Sequence, residues 1–369
     1  MKIYVSPPRY VQGPGALDRA GAEIRAVAKS ALVVVDPGVR HLAERIAASA
    51  RAAELNIQFV TFSGETTDAE ISRLAGLATG FEAVCGVGGG KCIDAAKGAA
   101  HARGTPMISV PSAASNDAPT SQVYVVYDEQ HRLTRVGRMA ASPALVLVDS
   151  EVIAGAPASL LLAGIGDALV KFHEVALCRR SGGPNVVGGE PPIMPSLLAD
   201  GSRDLLFRHA RQALDDNRRG AVTPELEAVI EAAILWSGIA FESGGLSIVH
   251  SMTRGLSSVP AIAGVPHGLQ VAYALLIEMR LAGDALEPMV QFHRAVGLPC
   301  SLSEMGLQDP DDGTLRLIAE QALAAPHAGN VDFPLTAEIL IDSMRQQENA
   351  AQSYDVKHQM IVDEEGVSA

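Results

Sequence analysis

Apolar, β-branched runs that alternate with helix-patterned stretches constrain this 369-residue chain more than any other feature. ALVVV (31–35), QFVTF (58–62), EAVCGV (82–87) and PMISV (106–110) are each long enough for one strand. Between the first two, Leu42, Ile46, Ala50 and Ala53 recur at helical spacing. Strands that are apolar on nearly every residue have no face left for water. Their alternation with helices therefore predicts a parallel sheet covered on both sides. VYVVY (123–127), followed by DEQHR, reads as a hairpin strand outside the crossover units, and ALVLV (144–148) brings the chain back into the sheet.

From about Ser150 the strand-like runs nearly vanish and helix signals dominate. Thr223 stands as an N-cap before Pro224 at the first helical position, with Glu225 and Glu227 in the first turn. Leu226, Val229, Ile230, Ala233 and Ile234 then form an apolar stripe. The predicted fold class is α/β, with a parallel-sheet domain over residues 1–152 and an all-helical domain over 153–369. RRSGGPNVVGGEPPIMP (179–195) is expected as a surface loop within the second. Ligands of open α/β sheets sit at the carboxyl ends of the strands, so the cleft between the two halves is the expected site.

The bulk numbers exclude several classes. A balance of 29 basic against 42 acidic residues, net −13, argues against nucleic acid or an anionic membrane as partner. Four scattered cysteines, Cys85, Cys92, Cys178 and Cys300, suit neither a disulfide framework nor a Cys-rich zinc site. The opening MKIYVSPPRYVQGPGAL lacks a basic segment followed by an apolar one, so no signal peptide is expected, and no apolar run approaches a membrane span. A soluble, cytoplasmic protein is the expectation.

VCGVGGGKCIDAAKGAA (84–100) carries the strongest chemical signal. It matches neither the dinucleotide fingerprint, which needs glycine at Lys91, nor a Walker loop, which needs a hydroxyl at Cys92. It still has the parts of a phosphate cradle: a strand, then Gly88, Gly89 and Gly90, then a helix starting near Lys91. Backbone N–H groups and a helix dipole meet there, with Lys91 as a point charge and Asp94 one turn on. A tight β–α connection alone would not need three glycines and a lysine.

Other positions stay open on residue type alone. Asp36, after ALVVV, suits either a ribose hydroxyl or an Asp-Pro-Gly turn. The loop VPSAASNDAPTSQVYVVY offers Ser112, Ser115, Asn116, Thr120 and Ser121, with Asp117 as its one charge; such groups either bind a ligand or satisfy their own backbone. Asp167, His250 and His267 make a plausible three-ligand metal set with an open position. However, Asp167 also suits a helix N-cap, and the 267 − 250 = 17 spacing of the histidines matches no short metal signature.

GVGGGKCIDAAK, ASNDAPTS, LLAGIGDAL, FESGGLSIVHSMTRGL, PHGLQVAYALL and AVGLPCSL occur in one order from residue 30 to past residue 300. Together they resemble the glycerol dehydrogenase branch of the iron-containing alcohol dehydrogenase and dehydroquinate synthase-like superfamily. The resemblance implies an N-terminal Rossmann-like domain for NAD. It also implies a helical C-terminal domain holding a divalent metal, zinc in most glycerol dehydrogenases and iron as the alternative. Carried over by position, Asp36 takes the ribose role, and Gly88, Gly89, Gly90, Lys91 and Asp94 form the pyrophosphate loop. Ser112, Ser115, Ser121, Val123 and Tyr127 line the rest of the cofactor, Asp117 touches substrate, and Asp167, His250 and His267 bind the metal. A homo-oligomer is implied as well. Two departures stand out: His267-Gly268-Leu269-Gln270-Val271 replaces the family's H-G-E-K-V, and Asn116 stands where threonine is common.

The expected activity is reversible oxidation of a small polyol, glycerol foremost, to its ketone with NAD. A metal at the substrate oxygen lowers that oxygen's pKa, and Asp117 orients a second hydroxyl. A 2-hydroxy acid is the alternative substrate, with Arg254 as the cation for its carboxylate. A dehydroquinate synthase-like lyase or a glycerol-1-phosphate dehydrogenase needs basic residues around a sugar phosphate. Basic residues are sparse across 151–280, and none is expected to cluster at either histidine. A non-catalytic binding protein would leave the whole set idle.

Overall fold

A computed structural model describes the backbone of residues 1–130 and 132–365, and the side chains among these as far as residue 351. The predicted parallel sheet is present. Its strands are β1 (Tyr10–Gly13), β2 (Ser30–Val35), β3 (Asn56–Thr61), β4 (Ala83–Gly88), β5 (Met107–Pro111) and, after the hairpin strands β6 (Val123–Tyr127) and β7 (Leu133–Arg138), β8 (Leu145–Asp149). Six of them pair in the order β1-β8-β5-β4-β2-β3, every neighbour parallel.

The near-continuous apolar runs follow from cover on both faces. Along β2, Val33 and Val35 pack with Leu17, Ile24 and Ile46 on one side, while Leu32 and Val34 pack with Ile71, Leu74 and Ile93 on the other. Helices Ala20–Arg25 and Leu42–Ala52 supply the first layer, and Asp68–Leu77 and Gly90–Arg103 the second.

One strand was not expected, and two expectations gain detail. β1 was not foreseen: YVQG is short and half-buried, and pairs with β8 from Tyr10↔Val146 to Gly13↔Asp149. The hairpin β6–β7 forms a sheet of its own; residue 131, within the DEQHR stretch, lies outside the described residues, as do residues 366–369 at the end of the expected second domain. The helix after the glycines begins at Gly90, one residue before Lys91.

Chain order in the sheet reverses beside β2. The chain runs outward from β2 to β3, then returns past β2 to place β4 on its other flank. The carboxyl ends of β2 and β4 thus lie side by side at a switch point, where open α/β sheets leave a crevice.

After Asp149 the described elements are helices. Ala158–Ser181, Met194–Arg218 and His267–Ala282 are the long central ones. Thr223 caps the helix beginning at Pro224, its hydroxyl accepting from the Leu226 N–H at 3.2 Å. That helix runs on through π-helical turns at Ala232–Trp236 and Ala240–Gly244. Leu226, Val229, Ile230, Ala233 and Ile234 are all buried, as their spacing predicted.

The 179–195 stretch is not a simple surface loop. Helix continues to Ser181 and resumes at Met194. Between them Asn185, 3% exposed, donates through Nδ2 to the carbonyls of Ile3 at 2.9 Å and Ser243 at 3.0 Å. One buried amide satisfies two distant carbonyls and pulls the loop inward. Among the described residues no single helix is long and apolar enough to cross a membrane.

Candidate active site

The glycine turn lies at the switch point. A Cβ on Gly88 would stand 2.7 Å from Asp36 Cβ and 2.9 Å from Cys92 Cβ, so only glycine lets the ends of β2 and β4 come this close. Gly89 opens onto free space, and the helix from Gly90 has no side-chain cap on its first N–H groups. Those donors are left for an anion. Asp36 Oδ1 accepts from the Gly38 N–H at 2.8 Å, closing the Asp-Pro-Gly turn. Ser112 donates its backbone N–H to the Gly88 carbonyl at 3.0 Å. A cavity of about 400 Å³ borders this end of the sheet, lined by Gly38, Leu42, Arg45, Ser112, Val152 and Leu160 among others.

Other expected cofactor residues have partners of their own. Lys91 Nζ pairs with Glu65 Oε2 at 2.6 Å and lies 5.5 Å from the centre of the Tyr127 ring. Asp94 is buried, accepting from the Val125 N–H at 2.9 Å and pairing with Lys97 at 3.1 Å. Lys97 in turn donates to the Ser121 hydroxyl and to the Val123 carbonyl. Asp94, Ser121 and Val123 therefore lock the hairpin onto the Gly90–Arg103 helix. Burial raises the Tyr127 hydroxyl to about 12, so it stays protonated. Ser115 lies half-buried in the loop that leads to Asp117.

Two glycines build the second half of the site. A Cβ on Gly166 would lie 2.3 Å from the Gly268 carbonyl oxygen, and one on Gly268 would lie 1.7 Å from that of Ala163. The helices Ala158–Ser181 and His267–Ala282 meet backbone to backbone there, and each presents its next chemical residue, Asp167 or His267, at the contact. His250 enters from the Ile248–Leu256 helix. The ligand atoms of Asp167, His250 and His267 all lie within 4.8 Å of one another. Asp167 Oδ1 is 3.4 Å from His250 Nε2 and 3.9 Å from His267 Nε2. The three residues that sequence placed far apart converge.

Asp167 and His267 carry the protonation that metal binding needs, and geometry sets that of His250. Burial disfavours charge on Asp167, yet Lys171 and the histidines outweigh it and hold the carboxyl well below its usual range. His267 begins its helix, where the dipole opposes a positive charge. Burial lowers it below its ordinary value, and with 43% of its side chain exposed it remains within reach of a ligand. His250 is oriented by Glu174, whose Oε2 lies 2.6 Å from Nδ1. Burial works against a charged His250, but Glu174 more than offsets this and raises its pKa. A second proton on Nε2 would nonetheless point at the Lys171 ammonium 3.1 Å away. The geometry therefore selects the tautomer with Nδ1–H toward Glu174 and a lone pair on Nε2. Burial opposes the Glu174 charge too, but the His250 ring N–H, the Lys171 ammonium and the Ser247 N–H at 3.0 Å hold its carboxyl below the usual range.

The segment 116–122 joins the two halves. The Asn116 amide nitrogen would be 3.0 Å from a Cβ on Gly90, so it rests against the glycine turn. The next residue, Asp117, donates its backbone N–H to Asp167 Oδ2 at 3.2 Å. Thr120 Oγ bridges the carbonyls of Asp117 and Ile234, both at 3.0 Å, and Gln122 N–H donates to Glu242 Oε1 at 2.6 Å. The π-helical turns thus anchor the segment; such turns are frequent at functional sites.

Lys171 and Glu174 were not foreseen, and Lys171 corrects an expectation. The sequence suggested no basic residue beside either histidine, yet Lys171 Nζ, fully buried, lies 2.8 Å from Asp167, 3.0 Å from Asp117 and 3.1 Å from His250 Nε2. One lysine already paired with two aspartates is not a sugar-phosphate cage. Burial and the neighbouring Asp167 raise the Asp117 pKa. The unusual Gln270 points away from the cluster: it accepts from Ser257 Oγ at 3.0 Å and donates to the Val265 carbonyl at 2.9 Å, bracing residues 257–265. Leu269 packs against the helical core.

Residues 7–150 match the family described as iron-containing alcohol dehydrogenase. The chain is 36% identical over 329 residues to a glycerol dehydrogenase of Escherichia coli O6:H1, spanning 88% of this chain and 90% of that one. It is 37% identical over 326 residues to a glycolaldehyde reductase of Halobacterium salinarum, spanning 87% and 89%. Its fold superposes on a glycerol dehydrogenase from Schizosaccharomyces pombe with a TM-score of 0.93 at 30% identity, over 97% of this chain and 93% of that one.

Proposed function

We propose that this chain, which belongs to the iron-containing alcohol dehydrogenase family, is an NAD- and metal-dependent oxidoreductase that interconverts glycerol and dihydroxyacetone. The observation that carries the reading is the Asn116–Asp117 step. One residue touches the glycine turn and the next bonds to the Asp/His/His cluster, so a dinucleotide on the turn and a substrate at the cluster would be neighbours.

One carboxylate and two imidazoles within 4.8 Å fit a divalent ion of the zinc or iron type, with a position left for substrate. Asp167, His250 and His267 would hold it, and bound there it would act as a Lewis acid on an alcohol oxygen. Asp36 accepts hydrogen bonds from a ribose, while the N–H groups of Gly89 and Gly90 receive the pyrophosphate. Lys91 stands at the rim of that turn. Asp94, Ser112, Ser115, Ser121, Val123 and Tyr127 shape the wall along which the cofactor lies. Asp117 accepts from a second hydroxyl of the polyol. Glu174 fixes the His250 ring.

The metal is zinc in this reading, and the boundary between the two domains falls after Val152. The protein is a cytoplasmic homo-oligomer acting on a small alcohol or ketone, without nucleic acid or membrane.

The test is NADH formation by zinc-loaded protein supplied with glycerol, glycolaldehyde-related diols or a 2-hydroxy acid. Glycerol turnover that is lost in both His250→Ala and His267→Ala, with the fold intact by circular dichroism, supports the assignment. Undiminished turnover in both variants removes the metal site, and faster oxidation of the 2-hydroxy acid replaces the substrate.

A further inference from the structure

Lys171 has no role in the function proposed above, yet beside the cluster it is as completely buried as Glu174. Its side chain is 0% exposed, and its Nζ lies within 3.1 Å of Asp167, Asp117 and His250 Nε2. Asp167 and Lys171 are four residues apart on the Ala158–Ser181 helix, so their side chains share one face and meet without strain.

The chemistry of His250 makes this placement consequential. With Nδ1–H given to Glu174, the ring has a single lone pair, on Nε2. That lone pair either accepts a hydrogen bond from Lys171 or coordinates a cation; it cannot do both. Asp167 Oδ1 faces the same choice, because an ammonium 2.8 Å away and a divalent ion would occupy one small buried space with like charge.

We infer that Lys171 is a built-in competitor of the metal: its ammonium neutralises the ligand cluster, and a divalent ion enters only by displacing it from Asp167 and His250. Asp117 Oδ2, 3.0 Å from the same nitrogen and otherwise without a hydrogen-bond partner, gives the displaced amine a carboxylate to stay with. The ammonium thus offsets the Asp167 charge at the ligand atoms, and metal affinity is set by exchange with it. The inference rests on the metal-site assignment made above.

The experiment is a zinc titration of the full-length, chelator-stripped protein, read by competition with a chromophoric chelator, for wild type, Lys171→Met, Lys171→Gln and Lys171→Arg. The neutral variants should bind zinc at least about tenfold more tightly than wild type, a difference of ~1.4 kcal/mol, and the arginine variant should not. Zinc should also raise the melting temperature more in Lys171→Met than in wild type, because without metal that variant leaves Asp117 and Asp167 unpaired. A residue of merely structural importance would lower stability without tightening zinc. Equal or weaker zinc binding by both folded neutral variants overturns the role of Lys171 alone. Absence of zinc binding in all four proteins overturns the metal site and this inference with it.

Discussion

Gly166 and Gly268 touch through their backbones at the point where Asp167 and His267 leave their helices. A side chain on Gly268 would place its Cβ 1.7 Å from the Ala163 carbonyl oxygen, with no flexible atom to yield. Gly268→Ala should therefore push the two helices apart, at a cost of about 1–3 kcal/mol in stability. It should also weaken zinc, because the donors no longer converge. Calorimetric melting and zinc affinity test both; a melting point and affinity equal to wild type would show that the contact is not close.

Glu174 acts on the cluster through His250. Its carboxylate lies 2.6 Å from Nδ1 and also accepts the His250 backbone N–H at 3.1 Å, fixing both ring and main chain. Glu174→Gln keeps the shape and removes the charge that holds the Nδ1 proton. Zinc affinity should fall about 10–100-fold, as for other residues that orient a ligating histidine. Unchanged affinity would mean that the ring is held by packing alone.

Much of this was legible in the sequence, and the missed parts share a cause. The parallel sheet was readable because β2, β4, β5 and β8 are covered on both faces and so are written in continuous apolar residues. β1 was not readable, since YVQG has no pattern of its own and becomes a strand only by pairing with β8. Asp167, His250 and His267 could be brought together from sequence only through family resemblance, because their convergence is made by glycine contacts between helices. Lys171 and Glu174 did leave a signal: with Asp167 they fall at i, i+4 and i+7 on one face of a helix that is apolar over most of its first half. Three buried charges on one helical face require mutual compensation, which was the available clue to a cluster there.

Asp36 offers a test of cofactor choice that spares the fold. Its Oδ1 closes the turn by accepting from Gly38 at 2.8 Å, a bond that a serine hydroxyl can also make. Asp36→Ser should keep the turn and lose the carboxylate for the ribose. NAD should then bind about tenfold more weakly and NADP be less strongly rejected. The kcat/KM ratio for the two cofactors measures this; an unaltered ratio would place the ribose elsewhere.

Glu242 predicts a pH dependence of stability away from the metal ligands. Burial raises its carboxyl to about 7, even though it accepts from the Gln122 N–H at 2.6 Å. In the unfolded chain the same group titrates near ~4.3. The folded protein thus holds this proton more tightly. Its contribution to stability is complete below the unfolded value and is lost as pH rises through about 7. Glu242→Gln keeps an acceptor for Gln122 and cannot ionise. Its melting temperature should match wild type below the unfolded value of ~4.3, rise relative to wild type as pH climbs from there to about 7, and hold that advantage above it. Melting curves that stay parallel across that range would show that Glu242 ionises in the fold as easily as in water.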